Sequence, residues 1–169
     1  MRNLVLIGMP GVGKSTIGVV LAKTMGLSFL DTDLMIQKRE SRLLHSIISE
    51  DGIEGFLKLE EDVLSSIHCS DMVIATGGSA VLSSKAMNHL KELGPVVFLK
   101  LDYQSIRKRI RNITTRGIVM GRDQSLLDVF NERMPLYEAY ADFTVDCRGL
   151  SVEGIVAQIF RQYRHLTQR

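Results

Sequence analysis

The stretch Gly8-Met9-Pro10-Gly11-Val12-Gly13-Lys14-Ser15-Thr16 constrains this chain more than any other, because it follows directly on the apolar run Leu4-Val5-Leu6-Ile7. Gly8, Gly13, Lys14 and Ser15 meet the pattern G-x-x-x-x-G-K-[ST], with Gly11 as an additional glycine inside it. Glycines let the backbone wrap tightly enough for its N–H groups to converge on phosphate oxygens, and the helix that follows begins with its positive dipole end toward them. Gly11, Val12, Gly13 and Thr16 then belong to the phosphate cradle. Lys14 supplies a mobile positive charge near the β- and γ-phosphates, and the Ser15 hydroxyl is placed to ligate Mg²⁺. The expected unit is strand, loop, helix, and the expected ligand is a nucleoside triphosphate.

The rest of the chain continues the same alternation. Short β-type runs at Asn3 to Ile7, Ser28 to Asp31, Met72 to Ala75, Val96 to Leu101 and Phe143 to Asp146 are separated by segments of helical period, the pattern of a parallel sheet covered by helices. In the last helix Val152, Ile155, Val156, Ile159, Phe160 and Tyr163 fall on one stripe, which reads as core. Residues 33 to 67 lack a convincing strand and read as short helices broken near Asp51-Gly52; residues 112 to 124 have two glycines and no sustained period, as a mobile lid would. With 169 residues, the whole chain is expected to be one α/β domain.

Several function classes are excluded. A net charge of +2 is too small for a nucleic-acid surface, and no segment approaches the roughly 20 apolar residues of a membrane helix. Cys69 and Cys147 lie far apart with no CxxC pair, which suits two reduced thiols in a cytoplasm, and the four histidines are too scattered for a metal site. No N-K-x-D guanine reader is present, and the run Val73-Ile74-Ala75 ends in Thr76-Gly77-Gly78 rather than the acidic pair of an ATPase motor. A small-molecule kinase remains.

Such an enzyme needs an acceptor site near the γ-phosphate. The second strand runs into Phe29-Leu30-Asp31-Thr32-Asp33. If the backbone is extended there, the two carboxylates emerge on one face about 6 to 7 Å apart, one for the Mg²⁺ shell and one for an attacking hydroxyl.

At this point the chain resembles the shikimate kinase family. The resemblance rests on the ordered set "GMPGVGKST", "FLDTD", "DGIEGFLKLE", "ATGGS", "TTRG" and "RMPLY", which spans essentially all 169 residues at compatible spacing. It implies a three-layer α/β/α fold with a five-stranded parallel sheet, a helical substrate-binding insertion at about residues 33–60, and a lid at about 112–122. The implied activity is ATP- and Mg²⁺-dependent phosphorylation of the shikimate 3-hydroxyl, a step of aromatic amino acid biosynthesis, in a cytoplasmic monomer. By resemblance Asp33 is the acceptor aspartate, Asp31 lies near magnesium, and Gly77 and Gly78 bring backbone N–H groups to the substrate. Arg116 is the lid arginine on the phosphates, Arg109 packs on adenine, and Arg133 binds the shikimate carboxylate.

Three departures bear on the acceptor. The family writes F-R-x-x-E where this chain has Phe56-Leu57-Lys58-Leu59-Glu60, so Leu57 stands where a second substrate arginine would be. Ser79 ends the glycine stretch, and Arg116 is followed by Gly117 rather than proline. Three readings stay open: a divergent shikimate kinase, a kinase for a polyol without a carboxylate, and a nucleotide-binding regulator without catalysis. Retention of Lys14, Asp31, Asp33, Arg116 and Arg133 argues against the last, since a regulator needs neither an acceptor aspartate nor a lid charge.

Overall fold

In the computed structural model, which describes residues 3–110 and 117–167, the apolar runs form five strands: β1 (Leu4–Ile7), β2 (Ser28–Asp31), β3 (Met72–Ala75), β4 (Val96–Lys100) and β5 (Phe143–Asp146). They pair in parallel in the order β2-β3-β1-β4-β5. Between them run α1 (Lys14–Met25), α2 (Thr32–Glu40), α3 (Leu44–Ser65), α4 (Ser84–Leu93), α5 (Tyr103–Arg109), α6 (Leu126–Tyr140) and α7 (Val152–Thr167), with a 3₁₀ turn at Ala80–Leu82. A sheet with helices on both faces buries its strands from both sides, and β1 and nearly all of β4 are accordingly inaccessible to solvent.

Two strand ends fall one residue inside the expected limits, each for a local reason. Asn3 spends its side chain as a buried clasp: Nδ2 donates to the Cys69 and Leu93 carbonyls at 2.8 and 3.0 Å, and Oδ1 accepts from Met72 N–H at 3.0 Å. At the other end β4 gives way after Lys100 because Asp102 N-caps α5, accepting from Ser105 N–H at 2.9 Å. The stripe on α7 buries Ile155, Val156, Ile159 and Tyr163, whereas Phe160 lies at its edge, 36% exposed, with the Arg164 guanidinium 5.9 Å above the ring.

Register places the site. Leu6 and Asp31 both pair with Ala75, so the loops leaving β1, β2 and β3 emerge side by side at the carboxyl edge of the sheet, where ligands of open parallel sheets bind. Residues 33 to 67 form no strand, as expected, and α3 runs through a non-helical Gly52 at φ 76°. From both sides of that break a second apolar cluster of Ile36, Leu44, Ile47, Phe56 and Val63 closes against Val119.

Asn3 gives the fold a sharp test. Asn3→Ala leaves two buried carbonyls and one buried N–H without their partner. The expected cost is on the order of 3 kcal/mol, a drop in Tm of roughly 5 to 10 °C by calorimetry.

Candidate active site

Gly8 leaves β1 at φ 149°, where a Cβ would stand 2.7 Å from the Leu99 carbonyl, and Gly11 and Gly13 follow at positive φ. This is the wrapped loop the pattern predicts, and Gly13 opens α1 in the left-handed region. Lys14 folds back on its own loop and donates through Nζ to the Gly8 and Met9 carbonyls at 2.6 and 3.1 Å. Burial draws its ammonium down to about 8, with Asp33 opposing.

The carboxylates of the second loop are arranged differently from the extended expectation. The strand ends at Asp31, and Thr32 and Asp33 already belong to α2, so a helical turn sets their separation. Asp31 is the N-cap: Oδ1 accepts from the N–H groups of Asp33 and Leu34 at 3.0 and 3.3 Å, while Oδ2 accepts from the Ser15 hydroxyl at 2.6 Å. This frees Asp33 from capping. Its side chain faces a cavity of about 400 Å³ that it shares with Lys14, Ser15, Thr16, Gly11 and Gly13, within the usual size range for small-ligand sites. Burial raises the Asp33 carboxyl to about 6, Asp31 adding to the rise and Lys14 opposing it.

The third loop supplies the floor. A Cβ on Gly77 would lie 2.7 Å from Glu60 Oε1 and 2.8 Å from Asp33 Oδ1, and one on Gly78 would lie 2.5 Å from the Pro10 ring. Only glycine lets this loop press against both the carboxylates and the phosphate loop. Thr32 Oγ1 accepts from Gly77 N–H at 3.2 Å, and the buried Tyr137 hydroxyl donates to the Gly78 carbonyl at 2.6 Å, so both peptides are held. Ser79 donates to Glu60 Oε2 at 2.6 Å. Burial lifts the Glu60 carboxyl to about 7, with Ser79, Arg133 and Lys14 pulling it down and Asp33 pushing it up.

Arg133 lies on α6, 2% exposed, and reaches the same cavity. Nη2 donates to the Val119 carbonyl, whereas Nε and Nη1 are buried and have no partner among the described residues. An unpaired buried guanidinium edge is costly unless something anionic fills it. The cavity is thus lined by Lys14 and Ser15 of the phosphate loop, by the Asp33 carboxylate and by Arg133.

Not every expected residue converges. Arg109 is exposed beside the phosphate loop, where Nη1 donates to the Val12 carbonyl at 3.0 Å. Leu57 turns away from the main cavity and lines a second one of about 220 Å³, next to Glu60 and Ser79. Arg116 and residues 112–116 of the expected lid lie outside the described residues; from Gly117 onward the segment passes over the insertion, and Ile118 and Val119 line the cavity. Phe56, which lines the cavity, and Tyr137, which holds the Gly78 carbonyl, are contacts that sequence reasoning missed. Each sits four residues from a recognised polar residue, Glu60 and Arg133, and helical spacing was the available signal.

Glu60 and Asp33 ionise less readily here than in an unfolded chain, so the folded protein binds more protons between about pH 4.5 and 7, and its stability falls as pH rises through that window. Thermal melts without ligand are expected to show Tm decreasing from acid to neutral pH, and Glu60→Gln is expected to flatten the upper part of that slope.

Comparison with known proteins agrees with this geometry. A family model described as shikimate kinase matches residues 10–164. The chain is 35% identical over 170 residues to a shikimate kinase of Thermodesulfovibrio yellowstonii, covering 99% of this chain and 98% of that protein. It is 37% identical over 162 residues to one of Francisella tularensis subsp. holarctica, covering 94% and 92%. Among solved structures, the shikimate kinase of Acinetobacter baumannii in complex with shikimate superposes with a TM-score of 0.90 at 28% identity, covering 100% of this chain and 96% of that one. That of Aquifex aeolicus superposes with a TM-score of 0.84 at 28% identity, covering 98% of each.

Proposed function

The chain belongs to the shikimate kinase family of ATP-dependent phosphotransferases acting on an alcohol group, and we propose that the residues gathered in the main cavity carry that reaction on shikimate, giving shikimate 3-phosphate. The observation that supports the acceptor assignment is Arg133: it lines the cavity that also holds Lys14 and Asp33, and its Nε and Nη1 are buried without a partner among the described residues. A planar fork of donors suits a carboxylate.

The residues divide the work as follows. The backbone from Gly11 to Thr16 cradles the ATP phosphates, and Lys14 leaves the Gly8 and Met9 carbonyls to meet the incoming negative charge. Ser15 and Asp31 put a hydroxyl and a carboxylate oxygen 2.6 Å apart at the edge of the cradle, the hard oxygen donors that Mg²⁺ takes. When bound, Mg²⁺ supplies charge neutralisation of the phosphate oxygens. Asp33 accepts the proton of the attacking hydroxyl, for which its raised affinity for a proton suits it. Lys14 and Arg116 stabilise charge on the transferring phosphoryl group, and Arg109 flanks the adenine end of the loop. Gly77, Gly78, Glu60 and Arg133 orient the acceptor.

Leu57 favours a second reading, an uncharged polyol acceptor, because Arg133 then meets no second cation from α3. We read the protein as a monomer. No helix among the described residues is long and apolar enough to cross a membrane, and we read the enzyme as cytoplasmic.

ADP release with shikimate, Mg²⁺ and ATP tests the assignment, and its absence at millimolar shikimate overturns it. Asp33→Asn is expected to lower kcat by roughly 10²- to 10⁴-fold while leaving ATP affinity nearly unchanged, as read by calorimetric titration. Leu57→Arg is expected to lower KM for shikimate several-fold; a fall in activity that spares an uncharged polyol would favour the second reading.

A further inference from the structure

The three residues that leave β3 do not share one spatial demand. Gly77 and Gly78 have no room for a Cβ, whereas Ser79 has an ordinary backbone, φ −90° and ψ −9°, and a side chain that is almost fully buried. Position 79 can therefore carry a side chain, and its hydroxyl is the only hydrogen-bond partner of the buried Glu60 carboxyl among the described residues. Glu60 Oε2 takes that bond, while Oε1 has no partner and rests on the face of Gly77 that Asp33 Oδ1 also borders. The Ser79–Glu60 pair lies where the two cavities meet: Ser79 lines both, and Glu60 and Leu57 line the second.

We propose that Ser79 is a positioning residue for acceptor recognition: its hydroxyl holds the Glu60 carboxyl with Oε1 turned to the Gly77 face, where that oxygen receives a hydroxyl of the acceptor. The acceptor class this selects is a polyol whose phosphorylated hydroxyl, at Asp33, has a neighbouring hydroxyl within reach of Glu60. Without the Ser79 bond the terminal torsion of Glu60 is free to turn, since that rotation is broad and roughly two-fold, and Oε2 becomes a second orphan. The donor also favours the ionised carboxylate, the form that accepts a hydroxyl proton best. The charged groups facing Glu60 are Asp33 from α2, Lys14 from α1 and Arg133 from α6, and on its own helix Glu61 is turned to Ser83 and Lys85. These groups lie on elements other than the turn that carries Ser79, and the double variant with Glu60 separates an effect through Glu60 from a general one.

The proposal rests on shikimate as acceptor, and wild-type turnover with shikimate and ATP is the control that separates the two. Steady-state kinetics of wild type, Ser79→Ala, Ser79→Thr, Glu60→Gln and the Ser79→Ala/Glu60→Gln double variant are measured across about pH 5.5 to 9. Ser79→Ala is expected to raise KM for shikimate by roughly tenfold, with kcat and KM for ATP nearly unchanged, and to move the acid limb of kcat/KM upward in pH. Ser79→Thr, which keeps the hydroxyl, is expected to recover most of the loss. In the double variant the Ser79 change is expected to cost less than in the wild type, because the amide introduced by Glu60→Gln still accepts from the hydroxyl but carries no charge for it to favour. Calorimetric binding of shikimate to each variant gives the same ranking without turnover. Wild-type KM and pH profile in Ser79→Ala, or full additivity in the double variant, overturns the positioning role alone; absence of wild-type turnover overturns both readings.

Discussion

The site depends on one close approach: the loop after β3 lies flat against the phosphate loop and against two carboxylates, with no side chain in between. A Cβ on Gly78 would meet the Pro10 ring at 2.5 Å, and one on Gly77 would meet Glu60 and Asp33 at 2.7 and 2.8 Å. The sheet order makes the contact possible. Because β3 lies between β1 and β2, the loop that handles the acceptor emerges between the loop that cradles phosphate and the one that delivers Asp31 and Asp33. Donor and acceptor halves are thus joined at the peptide backbone, where hydrogen bonds from Tyr137 and to Thr32 hold both glycine peptides still. Geometry fixed before binding is what phosphoryl transfer needs most, since the protein contributes mainly position and charge.

The same burial shapes the electrostatics. Lys14, Asp33, Glu60 and Arg133 sit in one poorly solvated volume, and each reports the cost of being charged there: the lysine is drawn down, both carboxyls are pushed up, and the guanidinium is left with two unanswered donors. An arrangement of this kind is unfavourable when empty and improves when phosphate and an anionic acceptor arrive. Residues that bear such a cost are the ones to which the proposed reaction assigns work on the ligand.

Legibility in the sequence followed the reach of each interaction. The phosphate loop was readable because all its chemistry lies within nine consecutive residues, and the five strands because burial on both faces of a parallel sheet imposes apolar runs. Asp31 and Asp33 were identified as a pair, but their geometry was not, since whether Thr32 continues the strand or starts a helix is settled by the cap that Asp31 itself makes. Arg109 and Leu57 were named from resemblance to a family pattern, and the fold sets the first against the Val12 carbonyl of the phosphate loop and the second in a neighbouring cavity.

By itself the sequence determined the class of protein, a parallel α/β kinase with its nucleotide loop, and it named Asp33 and Arg133 as candidates for the acceptor side, all through local patterns and their order. The tertiary structure alone decided which residues meet. Glu60 and Ser79 stand 19 positions apart, Tyr137 and Gly78 stand 59 apart, and Arg133 reaches back 14 residues to Val119. No periodicity links such positions. Their contacts arise from the packing of α3 and α6 over the carboxyl edge of the sheet, where a missing Cβ at two glycines, and an available one at Ser79, sets what the acceptor finds.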